Sequence, residues 1–208
     1  MKDGVCDLLV EQLAPEKGDL NYTTLRQKNL ERQYAFLQSV TEAAVNLEYA
    51  RISHGLIKAL NFHATACLNP CAGRYRTTPI VIRRAAGQPL GHQPPSGEEV
   101  RDLMDGFVAT VNDDWEHSDP VDLATLCVWR LNHIHPFKNG NGRTARALCY
   151  YVLCAKLGGL LPGSPMLPER IRATRVEYDR KLQEADEGSL TPLAELVQEL
   201  LTEQMAGG

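Results

Sequence analysis

Residues 120–157 read PVDLATLCVWRLNHIHPFKNGNGRTARALCYYVLCAKL, two apolar runs of helical length separated by a short polar loop that carries two glycines. In the first run Asp119 is placed to cap the helix and Pro120 to fill its first turn. Leu123, Leu126, Cys127, Trp129, Leu131 and Ile134 then carry the apolar pattern as far as Pro136. Proline restricts the residue before it, so His135 must leave the right-handed helical region. The second run, from Asn141 to Leu157, stops at Gly158-Gly159, the residue type that tolerates the left-handed turn ending a helix. A glycine loop between two helices differs from the common phosphate loops, which follow a buried strand. Neither GxxxxGK(S/T) nor GxGxxG is present.

Working outward, the chain predicts helices nearly everywhere. Residues 28–50 lack Gly and Pro and place Leu30, Tyr34, Leu37, Val40, Ala44 and Leu47 on one face, which suits core packing or a homodimer contact. Leu56, Leu60 and His63 continue the period in a second helix that ends near Pro70. Ser96 and Glu99 form a capping box ahead of a stripe of Val100, Leu103, Met104, Phe107, Val108, Val111 and Trp115. Pro168 and Pro192 open the last two helices. The one stretch rich in β-branched residues is 74–82, and its Pro79 restricts it to an edge strand or a short hairpin. The expected architecture is one all-α domain with a small β-hairpin, in which residues 1–50 form a helical extension packed on a core of 51–208.

With 208 residues the chain is long enough to bury a core without staples. Its formal charge of −4 argues against a general nucleic-acid binder. Six cysteines fall mostly inside apolar segments and read as reduced core thiols. His63, Cys67 and Cys71 recur at metal-ligand spacing, but Pro70 should end that helix first, so buried side chains are expected there. The N-terminal MKDGVCDLLVEQL has no continuous apolar core and no segment has the length of a membrane span. A cytoplasmic protein, or one delivered into a host cytosol, is expected.

The chemistry concentrates between His133 and Arg146. Gly140 and Gly142 free the backbone around Asn141 to aim amides at one point, where the next helix adds the positive end of its dipole. Arg143 and Arg146 are three residues apart, so their guanidinium groups share one side and suit adjacent phosphates. His135 titrates in the range a general base needs. The set describes attack on a phosphate ester. His133 is two residues from His135 and does not share its helical face, so a second metal ligand there is disfavoured against a hydrogen-bonding role.

His135-Pro-Phe-Lys-Asn-Gly-Asn-Gly-Arg-Thr-Ala-Arg146 resembles the Fic-family signature HPFx(D/E)GNGRxxR, agreeing at every defined position but one. The likeness extends upstream to His54 and to a flap at 72–82, and downstream to Tyr178–Ala185 and Leu190–Glu195. It implies a Fic-type helical bundle that transfers AMP from ATP, with Mg²⁺, onto a Tyr, Thr or Ser hydroxyl of a target protein. By position it implies His135 as base, Phe137 as loop anchor, and Arg143 and Asn141 as further catalytic residues. Lys138, Asn139, Gly140, Asn141, Gly142, Arg143, Arg146 and Tyr178 would bind the nucleotide. The flap residues Thr77, Thr78, Pro79, Ile80, Val81 and Ile82 would take the target peptide by strand addition. Tyr75 and Tyr178 read either as base or target contacts or as packing.

The departure is Asn139, where the family carries the acidic Mg²⁺ ligand; an amide oxygen offers no charge to a hard cation. Three outcomes are open: metal held mainly by the ATP phosphates, a different phosphate-containing donor including kinase-like transfer of the kind seen in Doc toxins, or a nucleotide-binding pseudoenzyme. The family's inhibitory pattern (S/T)xxxE(G/N) has one near match, Thr191 to Glu195, which reads as ordinary helix. Inhibition is then expected from a separate antitoxin-like protein or not at all.

Overall fold

The computed structural model describes residues 20–81 and 92–207. Eight helices occupy them: α1 (Leu20–Asn46), α2 (His54–Thr65), α3 (Val100–Asp113), α4 (Pro120–Ile134), α5 (Asn141–Lys156), α6 (Leu167–Ala173), α7 (Arg175–Asp186) and α8 (Thr191–Ala206). The all-helical fold is as expected. α5 runs through the centre, with Ala145, Leu148, Tyr151, Val152 and Cys154 all buried, and it packs on α1, α2, α4 and α6. Its residues 147–154 are buried on every side, which only the centre of the bundle allows.

The caps read from sequence are in place. The Ser96 amide donates to Glu99 Oε2 at 2.9 Å and the Glu99 amide to Ser96 Oγ at 3.4 Å, while Asp119 Oδ1 accepts from the Val121 amide at 2.7 Å. Gly158 takes φ +84°, and the Gly159 amide returns to the Cys154 carbonyl at 2.9 Å, ending α5.

Four expectations change. α1 is already helical at Leu20, the first described residue, rather than from near residue 28, and its buried stripe is Asn29, Gln33, Leu37, Thr41 and Ala44. The two amides are inside because they satisfy carbonyls on α2 and its end: Asn29 Nδ2 donates to Ala66 O at 2.7 Å and Gln33 Nε2 to Leu60 O at 3.0 Å. Leu47, expected on the apolar face, is exposed. Two helices, α6 and α7, replace the single one expected after Pro168, with the break at Thr174.

Among the described residues the flap makes no strand ladder. Its single pairing is an antiparallel bridge from Tyr75 to Phe137, and Ile82 with the return to residue 91 lies outside the described residues. The spacing of His63, Cys67 and Cys71 gathers nothing, because α2 ends at Thr65. Cys67 is exposed in a left-handed turn (φ +60°), Cys71 is half-buried, and the buried thiols are Cys127, Cys149 and Cys154. No helix among the described residues is long and apolar enough to cross a membrane.

Candidate active site

The α4–α5 loop is built by backbone geometry first. His135 caps α4 with φ 51° and ψ 57°, left-handed rather than the extended form usual before proline, and its amide donates to Leu131 O at 3.0 Å. That turn throws the chain across the end of α2. Phe137 is fully buried and anchors the loop. The Asn141 side chain, itself 2% exposed, closes a ring on that anchor: Oδ1 accepts from the Phe137 amide at 2.9 Å and Nδ2 donates to its carbonyl at 2.7 Å. Asn141 therefore shapes the loop through its side chain.

Gly140 takes φ +81°, and a Cβ there would stand 2.5 Å from Thr65 Cγ2, so only glycine fits. Asn61 of α2 donates to Asn139 O at 2.9 Å and to Thr144 Oγ1 at 3.1 Å, tying the loop to α2. The amides of Asn141, Gly142 and Arg143 open α5 and have no helical carbonyl behind them.

A residue that the sequence reading passed over holds this loop to the flap. Arg76 is 2% exposed, and its guanidinium donates to four carbonyls: His135 at 2.8 Å, Ile134 at 3.2 Å, Pro95 at 2.8 Å and Thr78 at 3.1 Å. Its own amide adds a bond to Pro136 O at 2.8 Å. Gly97 presses on the Thr77–Thr78 peptide, where a Cβ would come within 2.2 Å of the Thr77 carbonyl carbon. Arg76 and Gly97 together fix the first half of the flap beside His135.

Burial pushes the His135 imidazole down to about 4, with the Arg76 cation adding to the effect and the bond to Asn132 opposing it. The ring is neutral at physiological pH. Its Nδ1 lies 3.3 Å from Asn132 O, and a carbonyl can only accept, so Nδ1 carries the proton and Nε2 presents a lone pair.

On the far side of Gly142 lies a cavity of about 140 Å³ between α1, α5 and α6, into which Arg143 and Arg146 face. Burial and the neighbouring Arg26 push the Arg143 guanidinium down to about 10, and Arg143 also donates to Ala64 O. Burial likewise lowers Arg146, against the opposing influence of the Tyr178 and Tyr34 phenols. Asn139 Oδ1 is 3.5 Å from Arg143 Nη2. An uncharged oxygen turned toward a guanidinium is a poor ligand for Mg²⁺, so these residues do not fit a protein-held metal ion.

The other sequence-derived candidates separate. Lys138 is exposed and does not line the cavity. Tyr178 is buried, with its hydroxyl accepting from Asn132 Nδ2 at 2.9 Å. Tyr75 is half-buried, bonded to His54 Nδ1 at 3.1 Å and packed on the Phe137 ring. Thr77, Thr78, Pro79 and Val81 are exposed and Ile80 is half-buried. Glu195 is exposed on α8, away from the cavity. His133 meets Asp186 at 2.7 Å and stacks on His92, a polar pairing that local sequence does not reveal.

The helical fold thus sets a histidine and two arginines around a loop with open backbone amides. Residues 51–153 match the family model Fic/DOC family. The chain is 32% identical over 132 residues to a protein adenylyltransferase Fic of Nematostella vectensis, and 33% identical over 129 residues to protein adenylyltransferase fic-1 of Caenorhabditis elegans. Each match covers 61% of this chain, but only 26% and 22% of those relatives, so the chain spans about a quarter of their length. Among solved structures, a fragment of C. elegans Fic-1 superposes with a TM-score of 0.71 at 23% identity, covering 98% of this chain and 56% of that one. A Fic-domain signaling protein of Bacteroides thetaiotaomicron gives 0.68 at 19%, covering 99% and 80%. Residues 51–153 of this chain carry a Fic domain.

Proposed function

We propose that this chain is a protein adenylyltransferase, moving AMP from ATP to a Tyr, Thr or Ser hydroxyl of a target protein. The observation that carries the reading is a neutral His135 with Nε2 free, set beside the open amides of α5 and, past Gly142, two arginines in a cavity. The target hydroxyl gives its proton to His135 Nε2 while its oxygen attacks the α-phosphorus. The α–β bridging bond breaks, and pyrophosphate leaves toward Arg143 and Arg146, which offset the developing charge. The amides of Gly140 and Gly142 face the α-phosphate oxygens. The exposed flap residues 77–79 and 81 receive the target peptide. Any Mg²⁺ that the reaction uses would have to be brought by the ATP phosphates, since Asn139 offers no carboxylate to hold it.

Incubation with α-labelled or γ-labelled ATP and a cell lysate tests this. Label on protein from the α-position supports AMP transfer. Transfer from the γ-position alone replaces it with kinase chemistry, and tight ATP binding with no labelled protein favours the pseudoenzyme. Asn139→Asp supplies the missing carboxylate, and the Mg²⁺ concentration giving half-maximal labelling is expected to fall several-fold. If neither labelling rate nor metal dependence changes, Asn139 is not what limits metal use.

A further inference from the structure

The cavity beyond Gly142 holds more positive charge than the family motif supplies. Arg143 and Arg146 form one wall, and Arg26 from α1 and Arg172 from α6 stand on the others. None of the four has a described carboxylate within salt-bridge distance. The lone acidic residue of the lining, Glu169, is engaged as the N-terminal cap of α6, accepting from the Met166 amide at 3.2 Å. Thr23, Gln27 and Gln33 add polar groups on the α1 side. Four guanidinium groups against the one carboxylate of Glu169 leave the lining with a net positive charge, which a bound anion offsets. α1 also lies outside residues 51–153, so Arg26 is not part of the matched family region.

We propose that Arg26 and Arg172 complete a terminal-phosphate subsite, so that this chain selects nucleoside triphosphates over diphosphates through a cation on the helix preceding its Fic domain. The inference rests on the nucleotide reading above for the direction of the donor. Gly142 adjoins both sides: a Cβ on it would lie 4.0 Å from Oδ1 of Asn132, whose carbonyl meets His135, and 3.2 Å from Nη1 of Arg146, which lines the cavity. A donor with its α-phosphate at the loop amides runs its chain past Arg146. With the α-phosphate there, the β-phosphate meets Arg143 and Arg146, and the γ-phosphate lies between them and the opposite walls, Arg26 and Arg172.

Binding of ATP, ADP and inorganic tripolyphosphate is to be measured by titration calorimetry on the full chain and on Arg26→Gln, Arg172→Gln and Arg26→Lys. Both glutamine variants are expected to weaken ATP and tripolyphosphate about tenfold while ADP stays within about twofold, and Arg26→Lys is expected to recover part of the ATP preference. Both side chains are exposed, so the variants should melt as the parent does. An ATP-to-ADP ratio unchanged in both glutamine variants overturns the subsite. Tripolyphosphate binding that depends on Arg26, together with no protein labelled from α-labelled ATP, keeps the subsite and rejects the transferase reading. Labelling that succeeds while the ratio ignores Arg26 does the reverse.

Discussion

Arg76→Ala is expected to unfold much of the site's support, lowering stability by about 3–5 kcal/mol in urea titrations and erasing activity at temperatures where the parent is folded. The side chain is buried and gives hydrogen bonds to Thr78, Pro95, Ile134 and His135; removing it strands four carbonyls at once. Against a total stability of roughly 5–15 kcal/mol for a domain, that loss is large. Arg76→Lys should recover little, because one ammonium cannot reach carbonyls that a planar fork reaches in several directions. A loss below about 1 kcal/mol would show that the flap and the loop hold their shape without it.

The second large effect belongs to His135. Removing the base is expected to slow AMP transfer by about 10²–10⁴-fold with ATP binding retained. Asn is a better replacement than Ala, since the position is left-handed and asparagine accepts that conformation, whereas an alanine adds about 1–2 kcal/mol of strain. Rate and stability should also share a pH signature. Because burial lowers the folded pKa to about 4, the acid limb of kcat/KM lies nearer 4 than the ordinary 6.5. Between those values the unfolded chain binds the proton first, so stability rises with pH across the window and is lost as pH falls through it. His135→Asn should flatten that slope. An acid limb at 6.5 in the parent would mean that the ring titrates as a solvated imidazole and that burial does not lower it.

The helices were legible where local chemistry decides them: the Ser96–Glu99 box, the Asp119 cap and the Gly158 stop each act within a few residues. The loop glycines were legible for the same reason. Arg76 was not, because its partners are carbonyls up to 59 residues away, and nothing about an arginine in a β-branched stretch announces burial. Asn141 was placed correctly in the loop, but the partner of its side chain depends on how Phe137 turns. Along α1, apolar periodicity pointed to Leu47 and missed Asn29 and Gln33, whose burial follows from carbonyls at the end of another helix. Arg26 drew no notice in the sequence, since the cavity it faces is assembled only in three dimensions.

The Arg76 latch has a consequence for target choice. One guanidinium grips both the backbone of Thr78 and the carbonyl of His135, so a peptide laid along the flap and the proton acceptor keep a constant separation. Taken as the seat of a target peptide, as proposed above, the flap is a ruler. On the adenylyltransferase reading, a target is accepted according to how many residues lie between its docked backbone and its hydroxyl, and the identity of the side chains in between matters less than their number.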